Sequence, residues 1–270
     1  NKIYMAAASN NKCEAKIQNQ IGSIEPKLEE IFSKQGNQDG KLYFIRFLNK
    51  KSGRGNIFPI HFKTFGRNNL KNGIYLIHLN LEGNASHGIL LFVSQDNNGQ
   101  YIFNLFEPNG KKYANVPTFY QLELTLDGNV QPLNTVNTSL SPISNVNGTG
   151  NCGIWGIVIS ILLNSFLNQE ISQVEKDNFF RFLNENDTNG VRFITNISDT
   201  YFNSDREIDV NSFRDEIIDM IKNVDNLFRD ERAAEERGGK KIKIKKRKTK
   251  SKKRKTKSKK SKKKRKTKIY

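Results

Sequence analysis

An apolar run over residues 154–163 constrains the fold of this chain more than any other stretch of its sequence. It follows a loop rich in Asn and Gly, which are turn-forming residues, and Cys152 stands where the loop meets the run. The run is about half as long as the roughly 20 residues of a membrane-spanning helix, so we expect it in a protein core. Its β-branched residues also fit a buried strand, but its continuation to Leu167 favours a buried helix.

Cys152 would occupy the first turn of that helix. There the unpaired N–H groups and the helix dipole favour a negative charge, so a thiol loses its proton more easily. Gly150 and Gly153 on either side allow a substrate or another backbone segment to approach the sulfur. The pattern predicts a nucleophilic thiolate, although a buried, inert cysteine at a helix start fits the same residues.

Two consecutive strands are predicted over residues 87–94 and 100–107, joined by the turn-forming sequence QDNNG. Both are almost wholly apolar, which is typical of central strands that are covered on both faces. Their notable polar groups are His87, at the start of the first strand, and Glu107, at the end of the second. The sequence therefore predicts a buried hairpin with an imidazole and a carboxylate at its open end.

The length of the hairpin connection predicts how these two residues pair. A connection over residues 95–99 pairs residues whose numbers add to 194, which sets His87 directly opposite Glu107. The side chains of such a pair share a face, with Cβ atoms about 5 Å apart. A carboxylate there can fix the tautomer of a histidine that serves as a base for a nucleophile. A partly exposed pair at a strand end is the alternative interpretation.

The rest of the pattern predicts an α+β fold, with a mixed, largely antiparallel sheet packed by helices. The further strands are expected over residues 41–49, 57–62, 73–81 and 130–136, and the further helices over 26–35, 174–184 and 210–228. We divide the chain into a loose N-terminal segment over 1–25, a globular domain over 26–237 and a disordered tail over 238–270.

The arrangement of His87 on a strand, Glu107 at the end of the next strand and a Cys-Gly pair at a helix start resembles the CE clan of cysteine proteases. This clan includes the adenovirus maturation protease, the SUMO and ubiquitin-like proteases and the YopJ-type effector acetyltransferases. The resemblance covers residues 73–167. It implies a papain-like or adenain-like catalytic core over 26–237, in which Cys152 is the nucleophile, His87 the general base and Glu107 the group that orients it.

Two positions depart from the pattern of that clan. Its proteases usually carry a glutamine a few residues before the cysteine, whose amide helps to hold the oxyanion, and this chain offers Asn145 or Asn147 instead. Its ubiquitin-like proteases often place an aromatic residue after the histidine, where this chain has Gly88. The resemblance thus implies cleavage of peptide or isopeptide bonds in ubiquitin-like proteins or viral precursor proteins, without a defined tunnel for a Gly-Gly tail.

Two other functions fit the same residues. The sequence LFEP, which contains Glu107, is equally similar to the effector acetyltransferases, so a YopJ-like enzyme acetylating Ser, Thr or Lys is the second interpretation. The third is a non-catalytic scaffold with a nucleic-acid-binding tail. A peptidase of this kind needs no cofactor, whereas the transferase would use acetyl-CoA. The three histidines and two cysteines match no zinc-binding spacing, so no metal site is predicted.

The net charge of +18 belongs to one end of the chain. From Lys240 to Tyr270 there are 21 Lys or Arg and no acidic residue, which leaves 24 basic and 27 acidic residues elsewhere, a net charge of −3. The motif KRKTK recurs three times in this tail. Such a segment predicts binding to nucleic acid, another polyanion or a nuclear import receptor, and a solubilising tail is the alternative.

The tail also resembles the Lys- and Arg-rich termini of proteins from large DNA viruses. This implies a virion, or the cytoplasm or nucleus of a host cell, and the low cysteine content fits a reducing compartment. We expect a monomer without a membrane span. Viral members of the clan often cut at glycine-containing sites, so removal of its own tail after Gly239 is one hypothesis for Gly238 and Gly239. The favoured interpretation is that the two glycines merely link the last helix to the tail.

Overall fold

The computed structural model describes residues 2–47, 57–60, 71–80, 86–114, 121–126, 129–132, 137–148, 150–186, 188–203 and 207–227. The chain divides into two units, Asn1–Arg229 and Asp230–Tyr270. All the described residues belong to the first unit. The predicted basic tail, the boundary between 237 and 238 and the cleavage site after Gly239 lie outside the described residues.

The described elements form an α+β fold, as predicted. They are α1 (Lys2–Lys34), β1 (Leu42–Phe47), β2 (Ile57–Ile60), β3 (Gly73–Asn80), β4 (Ser86–Gln95), β5 (Tyr101–Phe106), α2 (Lys111–Ala114), β6 (Gln121–Leu126), β7 (Asn129–Pro132), α3 (Cys152–Leu167), α4 (Gln173–Glu185), α5 (Asn189–Ile197), a π-helical turn (Ser198–Phe202), α6 (Val210–Lys222) and α7 (Val224–Leu227).

The main sheet is mixed. Among the described strands its order is β1-β3-β4-β5, with β1 parallel to β3 and the other neighbours antiparallel. Both faces of the sheet are covered at β4. The consecutive residues Leu90 and Leu91 point to opposite faces, and each is 0% exposed. The expectation that both hairpin strands are central is correct for β4 only, since β5 is the outermost described strand.

A second described sheet has the order β2-β6-β7. Strand β2 runs parallel to β6 and is the outermost strand on its side, as expected for a strand that contains Pro59, because proline has no N–H for a further partner. Strands β6 and β7 are antiparallel.

Helix α3 is the centre of the core, and its apolar run is helical as predicted. Every residue from Cys152 to Ser165 is buried. The indole of Trp155 lies against the rings of Phe106, Phe179 and Phe193, with centroids 5.8–6.5 Å apart. This packing joins α3 to β5 on one side and to α4 and α5 on the other.

The N-terminal segment differs from the prediction. Residues 1–25 were expected to be loose, with a helix beginning at Pro26, but Lys2–Lys34 forms one helix and Pro26 lies inside it. The reason is an apolar stripe at helical spacing that packs into the core. The stripe consists of Ile17, Ile21, Ile24, Leu28 and Phe32, none more than 8% exposed.

The C-terminal helices begin at well-formed caps. Ser172 and Glu175 form a reciprocal capping box at α4, and the Asp209 carboxylate accepts hydrogen bonds from the first turn of α6. The predicted helix over 210–228 is divided into α6 and α7 at Asn223. Among the described helices, none is long and apolar enough to cross a membrane.

Candidate active site

The loop that leads to Cys152 is fastened to the core before it reaches α3. The Trp155 indole N–H donates to the Val146 carbonyl at 2.8 Å, and the Val146 N–H donates to the Pro108 carbonyl at 2.9 Å. Gly148 and Gly150 have φ values of +61° and +82°, a conformation that favours glycine. The loop therefore turns sharply and delivers Cys152 as the first residue of α3.

The start of β4 packs directly on the start of α3. A Cβ atom added at Gly88 would lie 3.2 Å from the backbone carbonyl group of Cys152 and from the Gly153 nitrogen. Glycine after His87 is thus explained by backbone packing, because an aromatic side chain has no room there. Gly88, which departs from the clan pattern, thus allows β4 to approach α3 closely enough for His87 to reach Cys152.

His87 and Glu107 interact, although in a different register from the predicted one. Paired residues of β4 and β5 have numbers that add to 196, because the connection runs over residues 96–100. His87 and Glu107 are therefore diagonal neighbours. A shift of two residues preserves the face on which a side chain lies, so these two long side chains still meet.

The Glu107 carboxylate holds one edge of the His87 ring. Nε2 of His87 lies 3.0 Å from Oε1 and 2.9 Å from Oε2 of Glu107. The Glu107 side chain is 0% exposed, and the His87 side chain is 8% exposed. A carboxylate accepts hydrogen bonds, so Nε2 carries the proton in this pair and Nδ1 is the ring atom left for Cys152.

Cys152 completes the arrangement. Its side chain hydrogen-bonds to His87, and the residue is 4% exposed. Burial alone lowers the pKa of His87, but hydrogen bonds to Cys152 and Glu107 and the negative charges of both groups outweigh burial and raise the pKa to about 10. The protonated ring is thus favoured at neutral pH, and it lies beside the Cys152 side chain.

A backbone turn after β5 fixes the Glu107 carboxylate. The Asn109 N–H donates to Oε1 of Glu107 at 2.8 Å, and the Gly110 N–H donates to the Glu107 carbonyl at 2.9 Å. Asn109 and Gly110 are turn-forming residues that follow Pro108 in the sequence. The turn has a further role, because it supplies a donor to the carboxylate that binds His87.

The two predicted oxyanion residues differ in their surroundings. Asn145 is exposed, and its side-chain oxygen accepts a hydrogen bond from the Asn147 N–H at 2.8 Å. Asn147 is 8% exposed and donates its amide N–H to Oδ1 of Asn109 at 3.1 Å, while its own Oδ1 is buried without a partner among the described residues. Asn147 therefore belongs to the hydrogen-bond chain behind Glu107, and its amide nitrogen has a second N–H besides the one donated to Asn109.

A second histidine–carboxylate pair joins β3 to α1, with a buried carboxylate and a histidine side chain that is 17% exposed. Nε2 of His78, on β3, lies 2.6 Å from Oε1 of Glu25, on α1. Glu25 is 3% exposed, so this pair joins α1 to the main sheet inside the protein. Within the described part of the chain, no group of three or more His, Cys, Asp or Glu residues is placed to hold a metal ion. His61 and the side chain of Cys13 lie outside the described part.

No protein family, curated protein or solved structure matches this chain in the comparisons with known proteins.

Proposed function

We propose that the chain is a cysteine peptidase that uses Cys152, His87 and Glu107. One observation carries the proposal: a buried histidine binds a buried carboxylate with one edge and a cysteine at a helix start with the other. A nucleophile, a base and an orienting group within hydrogen-bonding reach are the parts required for nucleophilic catalysis on a carbonyl.

The chemistry follows from the protonation of the pair. The Cys152 thiolate attacks the substrate carbonyl carbon, and the carbonyl electrons move to its oxygen, which N–H groups at the start of α3 can stabilise. As the C–N bond breaks, the His87 imidazolium gives its proton to the leaving amine. A water molecule then loses a proton to His87 and attacks the thioester, which releases the acid and restores the thiolate.

Three features support a papain-like or adenain-like core within this fold. The cysteine begins a fully buried helix, the histidine begins a strand that packs on that helix, and the acid follows the next strand. The register and the hydrogen bonds bring together residues that are far apart in sequence, as an active site requires. The proposed substrates are ubiquitin-like proteins or viral precursor proteins. This part of the proposal rests on the resemblance to the CE clan.

The test uses ubiquitin and ubiquitin-like proteins that carry a C-terminal electrophile. Incubation of the full chain with each probe, followed by intact mass measurement, is expected to give a covalent adduct that is absent in Cys152→Ala. Cys152→Ala keeps the fold of the loop because Cβ remains. The matched control is Cys13→Ala, which should form the adduct as the unchanged chain does.

A parallel incubation with acetyl-CoA tests the second function. An acetyl group on Cys152, without reaction of any probe, would replace the peptidase by the YopJ-like acetyltransferase. If neither reagent labels Cys152 but a viral precursor protein is cleaved, the peptidase remains and its substrate is the precursor. If nothing reacts at Cys152 under any of these conditions, the scaffold function is the one that remains.

The proposed setting is a virion, or the nucleus or cytoplasm of a host cell, where the basic tail binds a polyanion. Removal of the tail after Gly239 by the enzyme itself would end that binding. Intact masses of the purified chain and of Cys152→Ala test this point. A shorter product that requires Cys152 supports self-cleavage, and identical full-length masses rule it out.

A further inference from the structure

The outer edge of β5 shows how the backbone next to the active site is held. β5 is the outermost described strand, so the polar groups on this edge need partners from outside the sheet. Asn137 supplies the first two: its N–H donates to the Phe103 carbonyl and its carbonyl accepts from the Leu105 N–H, both at 2.8 Å. The next two groups are the Leu105 carbonyl and the Glu107 N–H.

A single hydroxyl group satisfies both of these. Oγ of Ser141 donates to the Leu105 carbonyl at 2.7 Å and accepts from the Glu107 N–H at 3.0 Å. A hydroxyl can donate and accept at the same time, which neither a methyl group nor an ammonium group can do. Ser141 is 1% exposed, so solvent has no access that would let water replace it. The hydroxyl thus extends the hydrogen bonding along the edge of β5 to Glu107, whose carboxylate binds His87.

We propose that Ser141 is a positioning residue of the active site, whose hydroxyl fixes the Glu107 backbone and thereby holds the Glu107 carboxylate on His87. This role rests on the proposed Cys-His-Glu chemistry. Both carboxylate oxygens lie within 3.0 Å of one ring nitrogen, so even a small backbone movement at Glu107 lengthens at least one of these contacts. Ser141 itself contacts neither the sulfur nor the imidazole in the hydrogen-bond pattern.

The test measures the rate at which iodoacetamide alkylates Cys152 as a function of pH, in the full chain. Peptide mapping by mass spectrometry separates the label on Cys152 from that on Cys13. In Ser141→Ala, the Glu107 carboxylate is held less firmly and stabilises the His87 imidazolium less. The transition in the pH–rate profile that reports loss of the His87 proton should therefore occur about one pH unit lower. The rate at neutral pH should change little, because a ring that loses its proton about one pH unit lower is still protonated there.

The chain offers a matched control in Ser160. Its hydroxyl is equally buried and donates to the Ile157 carbonyl at 2.7 Å, within α3 and away from Glu107. Ser160→Ala should leave the pH profile of alkylation unchanged, and Ser141→Thr, which keeps the hydroxyl, should restore the profile of the unchanged chain. A merely structural role for Ser141 would lower the unfolding midpoint without moving the profile.

A double substitution completes the test. In a Glu107→Gln background, Ser141→Ala should have no further effect on the profile, because its action passes through the carboxylate. An unchanged profile in Ser141→Ala, or an equal shift in both backgrounds, would overturn the inference. If Ser141→Ala does not fold, Ser141→Cys gives the same test, because a thiol donates and accepts only weakly. A shifted profile without any cleaved substrate would preserve the positioning role while the peptidase proposal fails.

Discussion

At the scale of single residues, the charge of His87 links stability to pH. Its pKa in the folded protein is about 10, above the usual value of 6.5. Because the pKa is raised in the folded state, the protonated His87 ring stabilises the folded protein. This stabilisation is complete below about pH 6.5 and is lost as the pH rises towards about 10. The hydrogen bonds from Cys152 and Glu107 to the ring, with the charges of these groups, are the cause, so the effect belongs to this cluster of three side chains.

His87→Gln should therefore cost more stability in mildly acid than in alkaline solution. The glutamine can still donate a hydrogen bond to Glu107, but it cannot carry the positive charge. We expect the difference in unfolding free energy between the two chains to be largest near pH 6 and to shrink steadily towards about pH 10. Urea unfolding at several pH values measures it, and the titrations of distant groups cancel in the difference. A difference that grows with pH would contradict the raised pKa.

Glu107→Gln should slow the reaction of Cys152 with iodoacetamide at neutral pH. The amide keeps the shape of the side chain but removes the negative charge that favours the imidazolium, and a hydrogen bond between charged groups contributes about 1.5–3 kcal/mol. We expect the alkylation rate of Cys152 to fall about tenfold or more. The control is Glu25→Gln, which removes the same charge from the other buried pair, with His78, and should leave the alkylation rate unchanged. Equal losses in both variants would point to general destabilisation.

At the scale of secondary-structure elements, the hairpin shows what the sequence can predict and what it cannot. Apolar runs and turn residues located β4 and β5 to within a residue or two, and the predicted pairing correctly placed His87 and Glu107 on one face of the sheet. The exact register depends on the loop, where the Asp96 carboxylate accepts hydrogen bonds from the Asn98 and Gln100 N–H groups. These bonds move the loop one residue along the chain, an effect that residue pattern alone does not reveal.

Helix α1 illustrates a second limit of sequence-based prediction. Its first half is polar and the apolar stripe is narrow, so the periodicity is weak, and Pro26 suggested a helix start. Tertiary packing decides the outcome, because Ile21 fits against Gly153 at the start of α3. Likewise, nothing local in the sequence marks Ser141 as a contact of Glu107, since these residues are 34 positions apart and meet only after folding.

Gly88→Ala should separate the start of β4 from the start of α3. The added methyl would lie 3.2 Å from backbone atoms of Cys152 and Gly153, which cannot move aside without moving the helix. We expect a loss of about 1–3 kcal/mol in unfolding free energy together with slower alkylation of Cys152. Both follow from one shift, because the distance between His87 and Cys152 depends on this contact.

Gly156→Ala is the matched control for that variant. Its methyl would meet Cδ2 of Leu76, the end of a flexible side chain that can take another rotamer, and alanine is also the better helix former by roughly 1 kcal/mol. The alkylation profile of Gly156→Ala should therefore resemble that of the unchanged chain. If Gly88→Ala also keeps that profile, the close packing of β4 on α3 does not position His87.

At the scale of the whole molecule, charge is divided between a body and a tail. The residues before Lys240 carry a net charge of −3, whereas the remaining 31 residues hold 21 Lys or Arg. The proposed catalytic residues Cys152, His87 and Glu107 all lie in the body, and their side chains are buried. The proposed binding to polyanions and the proposed reaction at Cys152 therefore use different parts of the sequence, so each should be removable without the other.

A chain that ends at Gly239 should lose its affinity for duplex DNA and keep the reactivity of Cys152. Lysine and arginine side chains release counterions when they bind phosphates, so the affinity of the full chain should fall about 10³-fold or more between roughly 50 and 200 mM salt. Fluorescence anisotropy with a labelled duplex measures both chains, and heparin should compete with the DNA because the interaction requires only dense negative charge. Alkylation of Cys152, measured in parallel, should be equal in the two chains at each salt concentration. DNA binding by the shortened chain with undiminished affinity would place the nucleic-acid site in the body, and slower alkylation after shortening would mean that the tail contributes to the active site.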